Sequence, residues 1–332
     1  MPYRATLVSH EPLTYFLQTG DEGPYLRVGD IVLRVNDSPK EIFSHFIRIG
    51  TNSQWSHSAL LYLLNNPQMG YDNIFLIEAM TSGVRVASWR NEVVPYDQFT
   101  VGIKRLNLDW YAETPKELLK HDPKDGPGIT YLRHVRGIAL DQINSLYDHQ
   151  VVAELTALYV QRFAALHWPD RPGLSEMAGK IADFSKKAEE SKFGKQTDLR
   201  FICSGLVQFA FFATLRLRIL NDMAIPECRD AAMSNLNNLY RIVFHDDPDH
   251  VIAHYIQQIQ SGKMQLSSPP PGDVLDLLRT STPADINNSP NLEWRYIIRK
   301  GIVWKIDPAP DGYTPETKHE ADVLALVRPA RP

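Results

Sequence analysis

Three residues of this chain have side chains and settings suited to acyl-transfer chemistry: Cys203, His57 and Glu78. Cys203 stands at the mouth of FICSGLVQFAFF, an almost wholly apolar run in a chain with only two cysteines. Leu206, Val207, Phe209, Ala210, Phe211, Phe212, Leu215 and Leu217 leave a helix there no polar face, so burial on all sides is expected. The start of a buried helix offers free N–H groups and a positive partial charge, which lower a thiol pKa and can hold an oxyanion. His57 opens the apolar run HSALLYLL, and Glu78 lies inside IFLIEAM, where an unpaired carboxylate is costly. Adjacent antiparallel strands can bring such side chains together, and a glutamate accepting from one ring nitrogen orients an imidazole and keeps it basic. Each group also has a bland reading. Cysteine is one of the commonest buried small residues, and a His–Glu hydrogen bond needs no chemistry. A thiol beside the pair turns it into nucleophile, base and orienter.

The elements that must position these residues are legible as changes of period. LRVGDIVLRV (26–35) alternates apolar and polar residues around a Gly-Asp turn, as a strand does. A helix is expected over SPKEIFSHFIRIG, with Ser38 as N-cap, Pro39 in the first turn and Glu41 at capping-box distance. HSALLYLL (57–64), NIFLIEA (73–79) and GVRVASW (83–89) form a meander of antiparallel strands, and FTVGIKRLN (99–107) supplies a fourth. From about 110 to 200 the texture is helical, in YLRHVRGIALDQINSLYDHQ and in VVAELTALYVQRFAAL, whose Val151, Leu155, Leu158, Tyr159, Arg162, Phe163 and Leu166 share one stripe. That stripe reads as a core-facing surface, because it lacks the basic flank of a membrane-binding helix. SEMAGKIADFSKKAEESKFGK reads as a polar surface helix, SSPPPGD as a stiff connector, and EWRYIIRKGIVWKI as a strand or hairpin returning to the sheet.

Composition narrows the function classes. With 332 residues the chain is expected to be one elaborated domain: a sheet half over 26–106, a helical insertion over 110–195, the cysteine helix and C-terminal part over 196–306, and a loosely ordered tail over 307–332. A formal net charge of −4 without a Lys/Arg block argues against nucleic acid as a partner. Cys203 and Cys228 make neither a disulfide framework nor a CxxC site, which fits a reducing compartment. The N-terminal residues lack the basic start and apolar core of a signal peptide, and no run is read as long enough to span a bilayer, so a cytoplasmic location is expected.

The ordered set GDIVLRV, SHSALLY, IEA with GVRV, and finally CSGLV resembles the circularly permuted NlpC/P60 proteins of the papain-like superfamily, the YiiX/YaeF and poxvirus G6-like group. In ordinary papain-like enzymes the cysteine helix precedes the histidine strand; in this group it follows, as in the order His57, Glu78, Cys203. The resemblance covers roughly 26–106 and 196–220, with PPGD and EWRYIIRKG belonging to its C-terminal end. It implies an α+β fold with an antiparallel sheet packed on the buried cysteine helix, Cys203 as nucleophile, His57 as general base and Glu78 as the residue orienting the imidazole. Asp30 is carried over as a turn or substrate contact with the turn role preferred, Tyr147 with Asp148 resembles a Tyr-Asp pair upstream of the cysteine, and Ser204 is a further contact. Gly205 stands where the family commonly has an acid.

The resemblance implies a cysteine hydrolase of amidase or peptidase type, needing no metal or organic cofactor. Its substrates would be peptides or amino-acid-containing cell-wall fragments. Lipid ester hydrolysis or acyl transfer, as in lecithin:retinol acyltransferase-like proteins, is the second enzyme reading, and an inactive binding module is the third. Elsewhere, HDDPDHVIAHY gathers His245, Asp246, Asp247, His250 and His254, but without the HExxH glutamate it reads as a helix N-terminus rather than a metal site. Cys228 has no apolar helix behind it and reads as structural, and Trp89, Trp110, Trp168 and Trp294 as core or interface residues.

Overall fold

The apolar strands assemble into one eight-stranded sheet in a computed structural model that describes residues 2–16, 19–20, 23–36, 47–48, 51, 53–63, 74–93, 99–113, 117, 128–148, 200–244 and 249–329. In chain order its strands are β1 (Tyr3–Ser9), β2 (Ile31–Asn36), β3 (His57–Leu63), β4 (Ile74–Met80), β5 (Gly83–Ser88), β6 (Phe99–Leu106), and, after the helices, β9 (Leu292–Arg299) and β10 (Ile302–Pro308). Spatially they run β1-β10-β9-β6-β2-β3-β4-β5, every neighbouring pair antiparallel. β3, β4 and β5 are the expected meander. The expected strand over 26–35 is shorter at its front: Leu26–Asp30 form a turn, with Gly29 at φ 84°, and the strand proper starts at Ile31. β9 and β10 form a hairpin around Lys300 and Gly301, both at positive φ (51° and 72°), the backbone of a two-residue turn that follows strand twist.

Both faces of the sheet are covered. On one, Val32, Ala59, Leu61, Leu76, Val101 and Ile103 pack under Phe16 and Trp89, the latter opening the short helix α1 (Trp89–Glu92). On the other, Leu33, Leu60, Ile77 and Ala79 meet α3 (Cys203–Met223), which crosses β3 and β4 and contacts α2 (Ile129–Leu140) and α5 (Gly272–Arg279). Leu206, Val207, Phe211, Phe212 and Leu215 of α3 are all at most 2% exposed, and each such side chain stabilises the fold by about 2 kcal/mol. The fold is therefore α+β, a large antiparallel sheet with helices packed on it.

Several expectations need correction. α3 is not buried on every side: past its middle it surfaces, and Leu217 is 40% exposed. By length and composition α3 is apolar enough to cross a membrane, contrary to the reading that no run reaches that length. The share of its apolar stretch that lies buried in the protein is 67%, and packing on the sheet accounts for that composition. The helical segment over 131–150 ends at Leu140, where turns lead into β7 (Leu146–Tyr147). The tail contains α7 (Lys318–Val327), capped by Thr317 and docked on β1 and β9 through buried Val323, Leu324 and Val327. Its Glu320 accepts hydrogen bonds from the Ala5 N–H (3.2 Å), the Glu316 N–H (2.9 Å) and the Tyr313 hydroxyl (2.6 Å). Pro-rich flanks hid a short amphipathic helix whose buried face is covered by β1 and β9. The helix expected over 38–50, apart from Ile47 and Arg48, lies outside the described residues, as do the stripe 151–166, the polar helix over 175–195, Trp168 and His245–Asp247.

Candidate active site

His57 is the first residue of β3 and stands opposite Arg34 of β2; Glu78 of β4 stands opposite Arg85 of β5. Register alone therefore gathers these four side chains on one face of the sheet. The β3–β4 ladder pairs Leu63 with Ile74 and ends at Leu60 and Ile77, so His57 and Glu78 lie just beyond it as diagonal neighbours. Their contact is direct, with His57 Nε2 2.8 Å from Glu78 Oε2. Glu78 is fully buried and His57 largely so, with 15% of its side chain exposed.

The cysteine arrives from the other face of the sheet. Leu61 exchanges backbone hydrogen bonds toward β2, with Asp30 and Gly29, so by the strand period of two the Ser58 N–H points to the β4 side. With the ladder ended there, that N–H donates to the Cys203 sulfur, and the Ser58 hydroxyl donates to Ser204 Oγ at 3.1 Å. The end of the ladder thus opens a notch between two strands in which the first residue of α3 seats its thiol. Cys203 hydrogen-bonds His57. Since Nε2 is engaged by Glu78, Nδ1 is the nitrogen left for the thiol proton. The N-cap residue Ile202 supplies no side-chain cap, and the first intrahelical bond is from the Leu206 N–H, so N–H groups at the head of α3 lie beside the sulfur.

The charges of the site are mutually supporting. Burial pulls the His57 pKa down, but the Cys203 thiolate and Glu78 outweigh it and raise it to about 9. Burial pushes the Cys203 thiol up, yet the imidazolium, the Ser58 N–H and the Ser204 hydroxyl bring it down to about 7. Glu78, opposed by burial, is held at about 2 by His57, Arg34 and Arg85. Between the two apparent values the pair exists as thiolate and imidazolium, a titration belonging to the pair rather than to either residue. A thiol, an imidazole and a carboxylate thus stand in hydrogen-bonded sequence, an arrangement that can serve nucleophilic acyl transfer.

A scan against protein-family models matches none, and searches of curated proteins and of solved structures return no match.

The other residues singled out in the sequence fall in different places. Asp30 is 1% exposed, accepts from the Arg27 N–H at 2.8 Å and takes two bonds of 2.7 Å from Arg105, so it locks the Gly29 turn and presents no free oxygen to a substrate. Tyr147, expected in a helix, lies in β7, whose parallel partner β8 (Arg200–Phe201) leads directly into Cys203. It is half-buried and close enough to the thiol for Cys203 and burial both to raise its pKa. Neighbouring Asp148 is buried and ion-paired with Arg279 of α5. Ser204 is fully buried, 3.7 Å from the Cys203 sulfur. At Gly205 a Cβ would stand 2.7 Å from the Arg279 carbonyl oxygen, so the acid common at this position in the resembled family has no room here.

Cys228 lies beyond α3 in the turn Pro226–Cys228. His250 and His254 are exposed on α4 (Asp249–Gln260), and among the described residues no group of three or more His, Cys, Asp or Glu side chains could hold a metal ion. Trp89 and Trp294 are buried core residues, and Trp110 packs half-buried against the core. The sequence reading missed Arg34, Arg85 and Glu92. For the two arginines the only signal was a charge inside an apolar strand, which means nothing until register sets the partner, and Glu92 lies in the short helix α1 with no such signal.

Proposed function

We propose that the protein is a cysteine-dependent hydrolase of amidase or peptidase type on a permuted papain-like core. The observation that carries this reading is the unbroken line Glu78–His57–Cys203, with the sulfur at the uncapped head of a buried helix. The order of the three residues along the chain, and a cysteine helix lying across the strands that bear the histidine and the glutamate, support the permuted core.

In the reaction, the Cys203 thiolate attacks the acyl carbon and the carbonyl π electrons move to oxygen. N–H groups at the head of α3, including that of Cys203, stabilise the resulting oxyanion. The imidazolium of His57 delivers its proton to the leaving amine as the C–N bond breaks, giving a thioester and a neutral imidazole. Water then attacks the thioester while His57 takes its proton, and the carboxylate product departs with Cys203 restored. Glu78 keeps the ring oriented through Nε2 and stabilises its charged form. Substrates on this reading are peptide amides or amino-acid-containing cell-wall fragments.

Incubation with a panel of peptide amides and thiol-reactive acyl donors tests the proposal. A hydroxylamine-labile acyl adduct on Cys203, absent from Cys203→Ala and much slower to form in His57→Ala, is the expected result. Reaction with esters but no amide would move the assignment to acyl-ester chemistry, and no adduct with any donor would leave a binding module.

A further inference from the structure

Glu78 is a shared carboxylate. Its Oε2 meets His57 at 2.8 Å and has the Arg34 guanidinium 3.9 Å away. Its Oε1 takes two bonds from Arg85, at 3.0 Å from Nε and 2.6 Å from Nη2. Behind both arginines sits Glu92 of α1, one oxygen 2.6 Å from Arg85 and the other 2.9 Å from Arg34, which also donates to the Glu92 carbonyl at 2.8 Å. The Arg34 guanidinium carbon also lies over the Phe99 ring, 5.0 Å from its centre. Four elements, β2, β4, β5 and α1, thus contribute two positive and two negative groups to one cluster.

The Arg85 part of this cluster adds little stability, since its side chain is 41% exposed and ion pairs that open to water contribute little. Its effect on the imidazole is direct. Each guanidinium draws on the same negative charge that stabilises the imidazolium, so it lowers the proton affinity of the ring. Glu92 limits that draw by neutralising both arginines. We propose that Arg34, Arg85 and Glu92 are positioning residues that fix Glu78 on His57 and set the proton affinity of the imidazole, the arginines lowering it and Glu92 restoring it. Their part in a reaction rests on the function proposed above; their control of His57 does not. The charged and titratable groups facing His57 and Glu78 among the described residues are Arg34 from β2, Arg85 from β5 and Cys203 from α3, with Glu92 of α1 behind the arginines and Tyr147 of β7 beside the thiol.

Titration of the His57 ring by NMR in a Cys203→Ala background reads this control without the thiol. Arg85→Gln should move the midpoint up by about half to one pH unit, and Glu92→Gln should move it down by a similar amount. Arg34→Gln should move it up as well, a second test should Arg85→Gln fold poorly. Arg85→Lys keeps the charge but not the two-pronged grip, so its midpoint should stay near the parent's. In protein retaining Cys203, the same change should slow thiol alkylation severalfold. Midpoints of the glutamine variants that coincide with the parent's, or that move the same way in the arginine→Gln and Glu92→Gln variants, would overturn the proposal. An unreactive Cys203 with opposite midpoint shifts would defeat the hydrolase reading and leave this one standing.

Discussion

Replacing Glu78 by glutamine changes one buried oxygen for an amide and removes the charge on which the imidazolium depends. The structure sets the size of the effect. A hydrogen bond to a charged group contributes about 1.5–3 kcal/mol, or about one to two pKa units. From about 9, the His57 titration should therefore fall to about 7–8, close to the Cys203 value of about 7. The ring then gives up its proton close to where the thiol titrates, so the mutual stabilisation of thiolate and imidazolium is lost and Cys203 should rise by about one unit in turn. At pH 6 a thiol of pKa about 7 is about one-tenth thiolate, and one of about 8 about one-hundredth, so alkylation of Cys203 should slow about tenfold. The assay is the pseudo-first-order rate of iodoacetamide labelling at Cys203, followed by intact mass from pH 5 to 9 in wild type and Glu78→Gln. A folded variant whose rate at pH 6 stays within twofold of wild type would refute the reasoning, because Glu78 would then not be supporting the charge on His57.

The same contact makes stability depend on pH, with a sign fixed by the shifts. Glu78 is depressed from 4.5 to about 2 in the folded protein. Its stabilisation is present above the unfolded value and is lost as pH falls through about 2, an upper bound of about 3 kcal/mol. His57 is raised from 6.5 to about 9, so its share is present below 6.5 and is lost as pH rises through about 9. These are two views of overlapping interactions and do not add.

Other perturbations follow from single contacts. Gly205→Ala drives a Cβ to 2.7 Å from the backbone oxygen of Arg279, so α3 and α5 must separate; a loss of about 1–3 kcal/mol by urea denaturation and a slower-labelling Cys203 are expected, and an unchanged midpoint would contradict the close approach. Lys104 is buried with its ammonium on the carbonyls of Ile286 (2.8 Å) and Asn287 (2.7 Å), at the end of α6 (Pro283–Asn288). Lys104→Met should cost about 2 kcal/mol or more by leaving those carbonyls unpaired. Burial lowers the Lys104 pKa from 10.5 to about 7, so in this respect wild type should gain stability between pH 7 and 10.5, a slope the methionine variant should lack.

What the sequence disclosed and what it withheld divide along contact range. The strands around His57 and Glu78 were legible because each carries its own period, and the Cys203 helix because its apolar run is continuous. The closeness of His57 and Glu78 followed from the cost of burying either alone. Arg34, Arg85 and Glu92 were not legible, since a one-residue slip in register would send each arginine to the other face. Tyr147 was read in a helix because its pairing with the segment before Cys203 spans a long stretch of chain that local patterns do not bridge. The same holds for β1 and α7, which meet across nearly the whole chain through Ala5 and Glu320.

The most direct test is the pH dependence of Cys203 alkylation, by intact mass, in wild type, Cys203→Ala, Cys228→Ala and His57→Ala. A single fast adduct is predicted near pH 6, where a free thiol is almost fully protonated. It should vanish with Cys203→Ala, persist with Cys228→Ala, and slow by about tenfold or more with His57→Ala, with the wild-type rate rising through about pH 7. A Cys203 that reacts no faster than a free thiol, or whose rate ignores His57, would contradict the account.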